Sequence, residues 1–318
     1  MQALGIGFSG IDIIKNNNNE LIMPGGTCGN VMSALASLHW NANIIKSRYK
    51  DYWNDMADLL WESLKVNIIN CGTVNYALPR IVGVINDENN HYYTTCPQCG
   101  KKLVGFVSPT RAKLNSLEID TSAYDILFYD RITDGVKYLL DKFLQNNKWT
   151  FYEPNSAHNY NTWANNILSC HIVKFSEDRI PRRFFNKLID TLNSQNHNTK
   201  IVVITHSNHG YSYSIANGKK MTELKNISVR TFDNVIDSSG AGDWLTAGFI
   251  DKLLQKYKTP PEIFDEQVIV NSLAFGHSLA KEACSYIGAL GKLFSDKKYI
   301  ESPNARFICD FCKSINYN

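Results

Sequence analysis

Short apolar runs rich in β-branched and aromatic residues alternate along this chain with longer stretches whose apolar residues recur every three or four positions. The first kind, at residues 4–13, 43–45, 66–69, 80–85, 123–129, 150–152, 172–175 and 200–205, predicts strands. The second predicts helices. Val31, Ala34, Leu35 and Leu38 share one face over residues 30–38, and Met56, Leu59, Leu60 and Leu64 share one over 51–64. Further helices are expected over 136–143, over a run holding Trp244, Leu245, Ala247, Gly248, Ile250, Leu253 and Leu254, and over 269–287 with Ala274, Leu279 and Ala280 inside. Residues 227–232 suit an edge or short strand. Strand then helix, repeated, implies an α/β fold with a mostly parallel sheet and sites at the carboxyl ends of its strands.

Composition narrows the classes. At 318 residues and 44% hydrophobic, the chain can fill one large core or two unequal domains. A net charge of +3 with no basic block argues against nucleic acid as a partner. No apolar run is long enough to span a bilayer, and the first residues lack the basic start and cleavage pattern of a signal peptide. Eight cysteines in such a chain suggest reduced thiols in the cytoplasm, or metal ligands.

The candidate chemistry centres on residues 235–250, V-I-D-S-S-G-A-G-D-W-L-T-A-G-F-I. A glycine-rich turn runs into a helix, so free backbone N–H groups and the positive end of the helix dipole face Gly240, Ala241 and Gly242. Small residues let an anion approach. A carboxylate beside an anion repels it, so Asp243 makes sense as a base acting on a hydroxyl that attacks a phosphate. A helix cap with a tight turn is the plainer alternative. Asp12 ends an apolar, glycine-interleaved run, where an acid suits a ligand or a cap.

The string from Asp237 to Asp243 followed by Ala247 and Gly248 resembles the C-terminal signature of the ribokinase-like (PfkB) family of small-molecule kinases. Pro24-Gly25-Gly26-Thr27-Cys28-Gly29-Asn30 resembles the family's N-terminal G-G-x-x-x-N element. The resemblance implies a three-layer α/β/α fold with a mostly parallel central sheet and a small β lid. The kinase domain would cover residues 1–292, with lid segments at about 12–25 and 80–106 and a tail at 293–318. It further implies Asp243 as catalytic base, with Gly240, Ala241 and Gly242 as anion hole. Asp12, Gly25, Gly26 and Asn30 would bind the acceptor. Thr205, Ser207 and Gly210, in a loop similar to the family's T-x-G-x-x-G, would face ATP, and Asp237 would organise the cation and phosphate region. His277 is placed near adenine, or on the surface. ATP and Mg²⁺ are the implied cofactors.

Departures from the family pattern are local. Met32, His39 and Trp40 alter the N-terminal element, Lys50 and Asn54 replace glycines, and Ser207 replaces the first glycine of the nucleotide loop. Ser176 and Arg179 stand where the family often has an N-x-x-E element that organises magnesium through water, with Glu177 and Asp178 between them.

A separate signal rests on spacing alone. Cys96-Pro97-Gln98-Cys99 and Cys309-Asp310-Phe311-Cys312 predict a structural zinc site with four thiolate ligands, Cys96, Cys99, Cys309 and Cys312, stapling the tail to the lid within one chain or across a homodimer. A redox pair or unrelated thiols are the alternatives. The sequence therefore predicts an ATP-dependent kinase acting on a hydroxyl of a sugar-like small molecule. The competing class is a non-catalytic sugar- or nucleotide-binding regulator on the same fold.

Overall fold

The structure is a computed structural model that describes residues 1–16, 19–85, 90–96, 99–103, 105–157, 159–230, 232 and 235–294. In chain order, β1 (Gln2–Ile6) is followed by a hairpin of β2 (Gly10–Asn16) and β3 (Asn19–Gly25). Then come α1 (Thr27–Ser37), β4 (Asn41–Tyr49), α2 (Tyr52–Ser63), β5 (Val66–Val74), β6 (Arg80–Ile85) and β7 (Asn90–Tyr93). The middle of the chain forms α3 (Arg111–Ser116), β8 (Ile126–Tyr129), α4 (Asp134–Gln145), β9 (Trp149–Tyr152), α5 (Tyr160–Leu168), β10 (Ile172–Ser176) and α6 (Arg182–Ser194). It continues as β11 (Ile201–Thr205), β12 (Tyr211–Asn217), β13 (Lys220–Met221), β14 (Lys225–Ile227), α7 (Ala241–Lys256), α8 (Glu266–Ala283) and α9 (Gly291–Phe294).

The main sheet runs β13-β12-β11-β10-β9-β8-β1-β4-β5, with β14 also on β12. From β11 to β5 every neighbouring pair is parallel; β12 turns antiparallel. Side chains alternate across the sheet as period two demands. Ile126 and Phe128 join the core that packs α1, α2, α7 and α8, while Leu127 and Tyr129 join the core under α4, α5 and α6. Helices on both faces of a parallel sheet give the expected three layers. A second sheet runs β3-β2-β6-β7, with β2 and β6 parallel.

Local signals place the helix starts. Asp51 accepts from Asn54 N–H, Thr133 from Val136 N–H and Asp265 from Gln267 N–H, each occupying a donor left open at a helix start. Two facial assignments change. Leu59 is exposed, because α2 buries Trp53, Met56, Ala57, Leu60 and Trp61 instead. Ala274 is exposed too, since α8 packs through Ile269, Leu273, Gly276 and Leu279. Among the described residues of the run at 227–232, Ile227 alone belongs to a strand.

The expected four-cysteine zinc knuckle is corrected. Among the described residues no group of three or more His, Cys, Asp or Glu side chains could hold a metal ion. Cys96 is buried with Val82 and Leu103 in a small apolar cluster, and Cys99 is exposed. Backbone bonds from Gly100 N–H to Cys96 O and from Cys96 N–H to Lys101 O close that turn. Cys309 and Cys312, with the tail from residue 295, lie outside the described residues. No helix among the described residues is long and apolar enough to cross a membrane.

Candidate active site

Gly240 begins the site. Its φ of 73° is left-handed, and a methyl group there would lie 2.5 Å from the Ala289 side chain. Glycine meets both demands. The turn is braced from behind by residues 284–289. Asp237 is buried; its Oδ1 accepts from Ser239 N–H and its Oδ2 from Gly288 N–H, while Trp244 Nε1 donates to Ala289 O at 2.8 Å. Asp237 therefore serves the backbone of the turn. Gly242 is exposed, so an anion can reach its backbone.

Asp243 lies in the first turn of α7. Asn30 Nδ2, in the first turns of α1, donates to its Oδ2 at 2.7 Å. Burial, and then the charge of Glu153, push the Asp243 carboxyl up to about 7; the Asn30 bond, Lys174 and Arg179 pull the other way. Asp12, on β2, is pushed up to about 8, by burial first and then by Asp243 and Asp237. Its Oδ1 and the Oδ1 of Asn30 are buried with no hydrogen-bond partner. Two buried polar oxygens left open beside Asp243 fit a ligand that brings hydroxyl groups. Gly25 is required by contact, since a methyl group there would stand 2.2 Å from Asp12 Oδ1. Gly26, at φ 87°, starts α1 against Phe8 O.

The structure thus brings Asp12, Gly25, Gly26, Asn30, Asp237, Gly240, Ala241, Gly242 and Asp243 to one place. Thr205, Ser207 and Gly210 form a second group at the carboxyl end of β11. Ser207 takes a left-handed φ of 50° where the resemblance expects glycine, and its Oγ donates to Asp178 Oδ2 at 2.6 Å. Gly210, at φ 111°, has room for no side chain, with Ile227 O 2.0 Å from a methyl position. His277 stands among rings, with centroids 5.0 Å from Phe232 and 6.3 Å from Tyr211, and burial lowers its pKa. An aromatic cluster of this kind suits a planar base.

Several residues at the site were not singled out by sequence. Lys174 Nζ bonds Glu153 Oε1 at 2.6 Å, both buried; Thr246 Oγ1 lies 2.8 Å from Glu153 Oε2 and 3.0 Å from Gly242 O. This bracket supports the glycine turn at 240–242 from the sheet side. Its signal was a lysine inside the apolar run I-V-K-F, which needs a buried partner. Asp130, after β8, accepts from Phe8 N–H at 2.8 Å through Oδ1, while its buried Oδ2 has no partner. Burial raises its pKa to about 6, against Arg131.

Residues 151–293 match the family described as pfkB family carbohydrate kinase. No curated protein sequence matches the chain. Among solved structures, the ribokinase of Giardia lamblia superposes with a TM-score of 0.72 at 12% identity, over 91% of this chain and 95% of that one. A sugar kinase from Pyrococcus horikoshii gives 0.66 at 14%, over 93% and 98%. Aminoimidazole riboside kinase from Salmonella enterica gives 0.60 at 14%, over 91% and 95%. At such identities the superpositions establish the fold. The matched segment carries the turn at Asp243 and is similar to the pfkB family, and the superpositions show that the chain has the ribokinase-like fold of these structures.

Proposed function

We propose that this protein transfers the terminal phosphoryl group of ATP to a hydroxyl of a sugar or sugar-like small molecule, with Asp243 as general base. The observation that carries the reading is the Asn30–Asp243 bond: it joins the two sequence motifs, with Asp12 alongside. Asn30 holds one oxygen of Asp243 and leaves the other for the acceptor hydroxyl. A base with a pKa near 7 is matched to work at neutral pH. Asp12 and Asn30 bind neighbouring hydroxyls through their open oxygens, and Asp12, protonated at neutral pH, can also donate. Gly240, Ala241 and Gly242 present backbone to the phosphoryl group, with Lys174 beneath them. His277, Phe232 and Tyr211 receive the base, and the 205–210 loop the rest of the nucleotide.

The site fits a triphosphate better than a bare metal. With no cluster of three acidic or histidine ligands among the described residues, magnesium would enter with the nucleotide, held by phosphate oxygens and water. Bound there, it would neutralise phosphate charge.

The test is ATP consumption across sugars, sugar acids and nucleosides. Turnover on one class is the expected result; tight binding of ATP without turnover on any acceptor would favour the regulator. Gly25→Ala should lower kcat/KM for the acceptor by about 100-fold, because its methyl group displaces Asp12, while ATP binding changes little. Unaltered acceptor kinetics would remove Asp12 from acceptor binding.

A further inference from the structure

The turn after β10 sorts its charges. Arg179 N–H and Ile180 N–H both bond Ser176 O, at 3.1 and 3.2 Å, and buried Ile180 pins the end of the turn. Glu177 Oε2 bonds His206 Nδ1 at 2.8 Å, and Asp178 Oδ2 accepts from Ser207 Oγ at 2.6 Å. His206 is held in turn by Ser212, 2.5 Å from its Nε2. Both acids of the turn are thereby tied to the 206–210 loop. Arg179 goes the other way. Its Nη1 donates to Asn155 Oδ1 at 3.3 Å, in the turn after β9 and two residues beyond Glu153. That contact is with a neutral amide, and the side chain is exposed, so the guanidinium keeps its charge available. Its field reaches Asp243 and, with that of Lys174, opposes the rise in the Asp243 pKa.

Lys174 is committed to Glu153, whereas Arg179 is exposed to solvent and bonded to the neutral side chain of Asn155, two residues beyond Glu153. We propose that Arg179 is a catalytic cation whose guanidinium binds the terminal phosphoryl group of the triphosphate during transfer. The inference rests on the kinase reading and deepens it. In the step, the acceptor oxygen forms a bond to the γ-phosphorus as the bond from that phosphorus to the β,γ-bridging oxygen breaks. The electron pair of the broken bond leaves on ADP, and the acceptor proton passes to Asp243. Charge spread over the phosphoryl oxygens is what a forked, permanently charged guanidinium stabilises. A turn that presented Glu177 or Asp178 there would repel it.

The experiment compares the wild type with Arg179→Ala and Arg179→Lys, by calorimetric binding of ADP and of a non-hydrolysable β,γ-imido analogue of ATP, and by turnover. Arg179→Ala should weaken the analogue about 10-fold and leave ADP within about twofold, because only the analogue carries the third phosphate. Its kcat should fall about 100-fold or more, with the acceptor KM little changed, and Arg179→Lys should recover part of the loss. The residue is exposed, so the fold should be kept, which circular dichroism checks. An Arg179→Ala protein that loses ADP and analogue equally, or loses neither, overturns the inference while leaving the kinase reading intact. A wild type that binds neither nucleotide and turns over no acceptor overturns both.

Discussion

Asp243→Asn lowers turnover by about 1,000-fold or more while ATP binding and folding persist. Asparagine keeps an oxygen for the Asn30 amide and fills the same space, but it cannot take the acceptor proton. The wild-type kcat/KM should rise with pH and reach half its plateau near 7, where Asp243 ionises. Stability should run the other way. The Asp243 pKa is raised in the folded state above its unfolded value, so the fold binds a proton more tightly than the unfolded chain does. Its contribution is fully present below about 4 and is lost as pH climbs through about 7; Asp12 extends the loss to about 8. Asp243→Asn removes the buried charge and should therefore melt at or above the wild type at pH 8. A variant that turns over normally, or one that melts well below the wild type at that pH, would contradict this account of the residue.

Lys174→Met should destabilise the protein by about 3–5 kcal/mol, because it leaves Glu153 as an uncompensated buried charge. The lysine side chain is 3% exposed and the glutamate 9%, so water cannot take over its role. Replacing both, as Lys174→Met with Glu153→Leu, should restore most of the loss, since a buried pair is worth little against well-packed apolar groups. Urea unfolding of the two singles and the double at pH 7 gives the coupling energy. A loss below about 1 kcal/mol in Lys174→Met would mean that the pair is hydrated in solution. The pair also tunes the base. Lys174→Met should move the acid limb of kcat/KM to higher pH, and Glu153→Gln should move it to lower pH, since the lysine lowers and the glutamate raises the Asp243 pKa.

Much of this architecture can be read along the chain because its rules are local. Short continuous apolar runs separated by helical stretches specify a parallel sheet covered on both faces, while the starts of α4 and α8, capped by Thr133 and Asp265, lie before the residues the spacing picks out. Gly240 and Gly242 with Asp243 mark a tight turn into a helix by residue type alone. The zinc expectation shows where local reading fails. Two C-x-x-C pairs suggest four ligands, but whether a thiol meets a metal or a core depends on what packs beside it, and Cys96 meets Val82 and Leu103. Leu59 and Ala274 fail for a related reason: on α2 and α8 the buried stripe is chosen by the neighbouring elements, which the spacing of one helix cannot reveal.

What the sequence by itself determined is the α/β layering and the glycine-rich turn into a helix at 240–243, because apolar runs, helix period and glycine geometry act over a few residues. Only the tertiary structure decided the working state of the site. Asn30 and Asp243 are 213 positions apart and meet across 2.7 Å. Glu153, Lys174 and Thr246 come from the end of β9, the middle of β10 and α7 to form one bracket. Glu177 and Asp178 turn toward His206 and Ser207, which sends Arg179 toward Asn155. Those choices rest on burial and on charge at short range, and both exist only once distant segments have packed together.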